Sequence, residues 1–499
     1  MHRYSNPVIS GFHPDPSLCR VDHDYFLVTS SFEYFPGVPV FHSRDLVHWH
    51  SIGHCLNRPS QLPLAGAPSS GGIYAPTIRH HDGMYYMVTT NVTGGGHFLV
   101  TAADPAGDWS EPLWLPGAGI DPSLFFDEDG RVYFTYSSDG IVQREIRLPS
   151  GRVGEERPIW KGTGGQYPEG PHLYKIGGLY YLLISEGGTE YGHMLTVARS
   201  RSPWGPFDSC PRNPILSHRS LASPIQATGH GDLVQDARGN WWVVFLGIRP
   251  NGHWPYHHLG RETFLAPVTW DGEGWPVIGE QGRVALQMSG PLPAERKWPV
   301  SSARDDFDGE RLAREWTFLR NPEAGSWSLL ERPGWLRLHG TAVSLDEVGS
   351  PAWVGRRQAH FEVTGSCHLD FQPSSEKEGA GLTVWMNERH HYDLFVSLRE
   401  GKRCFVVRRR IGTLTAEVAR HEIGDGAVTL RVEADREQYV LSGAVPPGEY
   451  IELARGEARY LATEVASGFT GVFLAMFCSG NGVRSVGAAD FDWFEYRPR

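Results

Sequence analysis

Five times in the first half of the chain, a polar turn gives way to an aromatic-led apolar run. The copies are VDHDYFLVTS (21–30), HHDGMYYMVTT (80–90), DEDGRVYFTYSS (127–138), KIGGLYYLLIS (175–185) and DARGNWWVVFLG (236–247). Asp, Asn and Gly supply the turn, and Tyr, Phe, Trp and Val supply the strand, so each copy predicts a β-hairpin. The copies stand roughly 50–60 residues apart, which suits one blade of a β-propeller with about four strands. The strand before each hairpin also repeats: DPSLCR from Asp15, APTIRH from Ala75, DPSLFF from Asp121, EGPHLY from Glu169 and GDLVQD from Gly231. The innermost strand of a blade lines the central channel, so equivalent positions of different blades converge on one axis. In this alignment three of the five positions carry a carboxylate: Asp15, Asp121 and Glu169. Asp15 lies between two prolines in GFHPDPSL, on stiff backbone. A turn explains one such aspartate. Three carboxylates at one register repel each other and cost stability, which points to use.

Near residue 285 the pattern changes. LQMSGPLPAERKWPVSSARDDFDG (286–309) is rich in Pro and charge and reads as a linker, so the propeller is assigned to residues 1–300. After it come GWLRLHG, GSCHLDFQ, GAGLTVWMNERHHYDLFVSL, RCFVVRRR and GVFLAMFC. Most alternate apolar with polar, as half-buried antiparallel strands do, and predict a β-sandwich over 301–499. The paired histidines of NERHHYDL (387–394) would face opposite ways on a strand, so no metal site is expected there.

Composition agrees with an all-β chain of two domains. There are 499 residues, too many for one ordinary core. Aromatics make up 12%, with 17 Trp, 59 Gly and 36 Pro, which suits many short strands and offers platforms for sugar rings. The net charge of -11 is dispersed and no basic run occurs, so nucleic acid is a poor candidate partner and none is expected. Six scattered cysteines without a CxxC pair argue against a disulfide scaffold or a thiolate metal site. The start, MHRYSNPVIS, lacks an apolar signal core, and no stretch reaches the roughly 18 apolar residues that span a bilayer. A soluble, cytoplasmic chain with no membrane partner is expected.

Carboxylates gathered in one channel suggest acid–base hydrolysis of a glycosidic bond. An inverting enzyme needs an ionised base for water and a protonated acid for the leaving oxygen, about 6.5–9.5 Å apart. A third carboxylate raises the pKa of the acid beside it.

HPDPSL, DPSLFFD and YPEGPHLYK resemble glycoside hydrolase family 43. Taken in order with SSFEYFPGVPVFHSRDLVHW, IYAPTIRHHDGMYYMVTT, SEGGTEYGH, ATGHGDLV, LGRETFL and ADFDWFEY, they are similar to its β-xylosidases over nearly the whole chain. The resemblance implies a five-bladed propeller, a concanavalin-like C-terminal sandwich that helps close the site, and inversion of configuration. It implies Asp15 as general base, Glu169 as general acid, and Asp121 as the carboxylate that tunes and orients the acid. Arg261 in GRETFL matches an arginine near the base and the sugar hydroxyls, where its fixed fork suits paired oxygens. Phe32 and Tyr74 match the walls of the terminal-sugar pocket, although these xylosidases usually have Trp where this chain has Tyr74. Thr189 would lie near the acid and face the sugar beyond the cleaved bond. His230 in TGHGDL matches a histidine that supports a central water cluster or a calcium ion; no other cofactor is implied. Phe469 in SGFTGVF matches a sandwich residue that reaches over the propeller, with Phe473 as a nearby competitor.

The resulting expectation is an exo-acting β-1,4-xylosidase on xylo-oligosaccharides, with a homo-oligomer allowed. An α-L-arabinofuranosidase, alone or as a second activity, is the closest rival. A non-catalytic sugar-binding propeller is disfavoured because all three carboxylates are present. A retaining fructosidase-type propeller would need NDP near the start and RDP later, and neither tripeptide occurs.

Overall fold

The computed structural model describes residues 2–299 and 302–499. Among them the helical segments are one 3-10 turn, Ala458–Leu461, and one α turn, Thr463–Ala466; the rest of the regular structure is strand. No helix is long and apolar enough to cross a membrane.

Five antiparallel sheets form the blades. They begin with the strands Ser17–Val21, Thr77–His81, Ile120–Phe126, Glu169–Ile176 and Gln226–Gln235. Each of these pairs with the next strand across the turn the sequence marks: Val21 with Asp24, His81 with Met84, Phe126 with Val132, Ile176 with Leu179 and Gln235 with Trp241. The first residues close the ring. Ile9 bridges Thr263 of the fifth blade, and Asn6 Nδ2 donates to Leu265 O at 3.0 Å.

The register differs from the sequence alignment by one residue in two blades. Counted along the ladders, Ser17, Thr77, Ser123, His172 and Asp232 stand level. Two residues upstream lie Asp15, Ala75, Asp121, Gly170 and His230. Gly170, not Glu169, is therefore the partner of Asp15 and Asp121, and His230 is their partner in the fifth blade. The cause is local backbone. Asp15, Asp121, Gly170 and His230 have φ of 55°, 56°, 57° and 47°, and the pairing slips between Ile120 and Ser123, Glu169 and His172, and Gly229 and Asp232. A left-handed residue at a bulge re-aims the side chains next to it. In the fourth blade glycine takes that conformation, and the carboxylate comes from the preceding residue.

A buried network ties the inner strands together at the Ser17 level. Asp232 accepts from Ser17 Oγ (2.7 Å), Tyr174 OH (2.6 Å) and both Arg79 nitrogens (2.8 and 3.1 Å). Burial alone would raise its pKa, but Arg79 and the other donors hold it well below the carboxylate range. The charge is thus fully compensated, and it fixes four of the five blades around the axis.

The C-terminal part consists of two eight-stranded sheets packed face to face. Alternating residues of each form the core, as along Val428–Ala434, where Val428, Leu430, Val432 and Ala434 are buried. One sheet runs Leu414–Glu422, Lys402–Ile411, His390–Arg399, Gly379–Asn387, Phe473–Ser479, Ala352–Arg357, Thr317–Leu319. It ends on a propeller segment, Tyr34–Phe35, through Phe318–Phe35 and Leu319–Tyr34. The loop that carries Phe32 therefore continues directly into a sandwich sheet. The connecting segment is pinned as well: Gln287–Gly290 pairs with His2–Ser5, and Trp298 Nε1 donates to His48 O at 3.1 Å. All six cysteines are buried and unpaired.

Candidate active site

At the channel mouth, Asp15 is buried and surrounded by donors. Arg261 Nη1 donates to Oδ1 at 2.9 Å, and Ser30 Oγ donates to Oδ2 at 2.5 Å. Burial pushes the Asp15 pKa up, but Arg261, His230 and Ser30 outweigh it and hold the group below its ordinary value. Asp15 is an ionised carboxylate at neutral pH. Arg261 is itself buried rather than part of an exposed ion pair.

Asp121 is also buried, near enough to Asp15 and Glu169 for their charges to act on it. Its Oδ2 accepts the Gly170 amide at 3.1 Å. Burial, then the charges of Glu169 and Asp15, push it well above the carboxylate range. Asp121 is therefore held toward its protonated form. Glu169 is the most open of the three, with 16% of its side chain exposed against 6% for Asp15.

Three aromatic rings pack together beside Arg261. Phe32 and Tyr74 stand 5.2 Å apart between centroids, Phe32 and Phe469 6.0 Å, and Tyr74 and Phe469 6.1 Å at right angles. The Arg261 guanidinium lies 5.7 Å from the Phe32 centroid and 5.5 Å from that of Phe469. Backbone bonds between Phe32 and Ile73 (2.8 and 3.1 Å) lock the first wall. Gly72 is required there, because a Cβ would fall 2.3 Å from the Phe32 carbonyl oxygen. Of the two sandwich candidates, Phe469 packs on Phe32, Tyr74 and Arg261. Phe473 is fully buried and stacks on Tyr34 at 4.2 Å inside the sandwich.

The Thr189 hydroxyl accepts from Arg261 Nη1 at 2.9 Å, so it braces the arginine that braces Asp15. His230 is buried beneath Asp15. Its amide donates to Ser185 Oγ at 2.6 Å, and its Nδ1 stands 3.7 Å from Asp15 Oδ1. Burial outweighs Asp15 and Glu169 and lowers its pKa, so the imidazole is neutral. Among the described residues no three His, Cys, Asp or Glu stand close enough to hold a metal ion. His230 would be a lone side-chain ligand, so these side chains do not form an ion site by themselves. The paired histidines of the sandwich are engaged otherwise. His390 Nδ1 bonds Tyr460 O at 2.8 Å, and His391 sits between Asp393 (2.9 Å) and Asp346 (3.2 Å).

Two contacts escaped the sequence reading. One is Ser30, the strong donor to Asp15. The other is His193, fully buried, with Nε2 3.2 Å from Glu169 Oε1 though not aligned for a hydrogen bond. His193 has room because Gly229 carries no side chain: a Cβ there would stand 2.3 Å from the imidazole.

Three carboxylates at the inner strands of a five-bladed propeller, beside a buried arginine and three packed aromatic rings, define the class: a β-propeller glycosidase. The chain belongs to glycosyl hydrolases family 43, whose family model matches residues 4–276. Residues 304–497 match the beta xylosidase C-terminal concanavalin A-like domain. The chain is 46% identical to the non-reducing end alpha-L-arabinofuranosidase BoGH43B of Bacteroides ovatus, over 99% of this chain and 94% of that protein. It is 40% identical to a xylosidase/arabinosidase of Butyrivibrio fibrisolvens, over 98% of each. The solved structure of the Bacteroides ovatus xyloglucan PUL GH43B superposes with a TM-score of 0.97 at 45% identity and full coverage of both chains.

Proposed function

We propose that the protein removes single pentose units from non-reducing ends with inversion, and that its substrate is β-1,4-linked xylo-oligosaccharide. The observation that carries this is the cup of Phe32, Tyr74 and Phe469 over the Asp15–Arg261 pair. One wall comes from the sandwich, so a chain end enters where a continuing chain would not. Asp15, held ionised by Arg261 and Ser30, takes a proton from water as the water oxygen bonds to the anomeric carbon. Glu169 gives its proton to the leaving oxygen as the old bond breaks. The Gly170 amide on Asp121 opposes, without overcoming, the burial and neighbouring charges that push that carboxyl up, and it fixes the group beside Glu169.

A second reading, release of α-L-arabinofuranose, is favoured by two observations: the name of the 46%-identical relative and the Tyr74 wall where the xylosidases usually carry Trp. Comparison of kcat/KM on 4-nitrophenyl β-D-xylopyranoside and α-L-arabinofuranoside decides between them. A higher value on the xyloside supports the first reading, and activity on the arabinofuranoside alone supports the second. Proton NMR of the first-formed sugar checks the stereochemistry: α-xylose is expected from the β-xyloside, and β-xylose would overturn inversion.

A further inference from the structure

Glu33 follows the wall residue Phe32 and is completely buried. Among the described residues no cation pairs with its carboxylate. The neighbouring Arg320 directs its guanidinium to Ala67 O (2.5 Å), Gly349 O (2.8 Å) and Glu388 Oε1 (2.5 Å), and Ser69 Oγ also donates to Glu388. Glu33 Oε2 accepts only the Ser70 amide, at 3.0 Å, and Oε1 has no partner. An acid buried in this way costs stability unless it has a task.

Ser70 supplies the link to the site. It is held at φ 62°, and its Oγ accepts the Phe469 amide at 2.8 Å. Gly468 permits the contact, since a Cβ there would stand 2.6 Å from Ser70 Oγ. The Phe469 carbonyl accepts from Arg261 Nε at 3.4 Å, and Arg261 holds Asp15. A chain of bonds thus runs from Glu33 in the propeller, through the sandwich loop, to the base.

We propose that Glu33 is a positioning residue that sets, through Ser70, how closely Phe469 caps the bound sugar. This rests on the reading of the cup as the terminal-sugar site. Burial, with Glu388 adding to it, pushes Glu33 up to about 8 against the opposing pull of its own amide, Arg320 and the Ser70 amide. The other titratable neighbours are Tyr34 and Tyr74, each pushed up by burial and neutral in this range. A raised folded-state pKa gives stability that is complete below the unfolded value near 4.5 and is lost as pH rises through about 8. Ionisation in that window leaves an uncompensated buried charge facing Glu388, and the Ser70 loop opens to let water reach it, which weakens the Ser70–Phe469 contact.

The test uses the full chain and both 4-nitrophenyl pentosides, with KM and kcat followed across the alkaline range, and amide exchange of segment 467–470 corrected for its intrinsic pH dependence. In the wild type, KM and exchange at Phe469 should rise together around pH 8 while kcat changes less. Glu33→Gln keeps a neutral, isosteric side chain, so both alkaline rises should vanish. Ser70→Ala removes the acceptor for the Phe469 amide and should raise KM about 5-fold at neutral pH, the scale of one hydrogen bond, with faster exchange at Phe469. An alkaline rise that persists unchanged in Glu33→Gln, or a Ser70→Ala variant with wild-type KM and exchange, overturns the proposal. If the wild type cleaves neither pentoside, the functional reading fails, and the exchange data still decide the positioning role alone.

Discussion

Replacement of Arg261 by Met tests how the base is kept ionised. The side chain keeps its length but loses its charge and its bonds to Asp15 and Thr189. Two unit charges about 4 Å apart at an effective dielectric near 20 interact by about 4 kcal/mol. At about 1.4 kcal/mol per pH unit, that caps the effect near 3 units. His230 and Ser30 remain beside Asp15, and water fills part of the space, so an upward shift of about 1–3 units is expected. The sign is fixed by the direction of the native shift. Asp15 lies below its ordinary value because Arg261, His230 and Ser30 outweigh burial; without the cation, burial dominates and the group protonates at higher pH. The assay is kcat/KM against pH on an activated aryl pentoside, with the position of the acidic limb read rather than the amplitude. Arg261→Lys, which keeps the charge but not the fork, should shift the limb less. An acidic limb that stays in place while the rate falls would refute the argument and leave Arg261 as a sugar contact alone.

Three further outcomes follow from the same contacts. Asp121→Asn should lower kcat yet raise Tm at pH 7, because a carboxyl pushed up by burial and two neighbouring charges is most comfortable when neutral; the gain should shrink towards pH 4, and a Tm loss at pH 7 would contradict it. Phe469→Ala removes ring packing on Phe32 and Tyr74 and the stack on Arg261, so KM should rise about 10-fold with a smaller change in kcat. In the sandwich, Asp393 is buried between His391, Arg408 and Thr383 and held down to about 2, so its contribution to stability is present above about pH 3.8 and lost as pH falls through 2; Asp393→Ala should cost about 3–5 kcal/mol in denaturant unfolding at pH 7.

The hairpins were legible because aromatic and β-branched runs after Asp/Gly turns carry strand and turn in one pattern, and every such pair forms. The Asp-Pro stretches likewise marked Asp15 and Asp121, whose positive φ recurs in both blades. The offset of Glu169 was not legible, since a bulge changes register without changing composition; only the ladders reveal that Gly170 fills the aspartate position. Ser30 and His193 were hidden for another reason. Each meets its carboxylate through three-dimensional proximity, and a serine in VTSS or a histidine in EYGH carries no local signal of its partner. The choice between Phe469 and Phe473 required the structure as well. Both are apolar residues of one short segment, and only the end of the Thr463–Ala466 turn and the Gly468 contact aim the first at the pocket and the second into the core. The strand Tyr34–Phe35, which joins a sandwich sheet, is too short for any pattern to show.

The division of labour between Asp15 and Glu169 is tested most directly by leaving-group dependence. Glu169→Ala should cripple hydrolysis of xylobiose, whose sugar leaving group needs a proton, by about 10²–10⁴-fold, yet spare much of the rate on an aryl xyloside with an acidic phenol. Asp15→Ala removes water activation, which both substrates need, so both rates should collapse together. Equal loss on both substrates in Glu169→Ala, with leaving-group rescue in Asp15→Ala, would reverse the acid and the base and contradict the account.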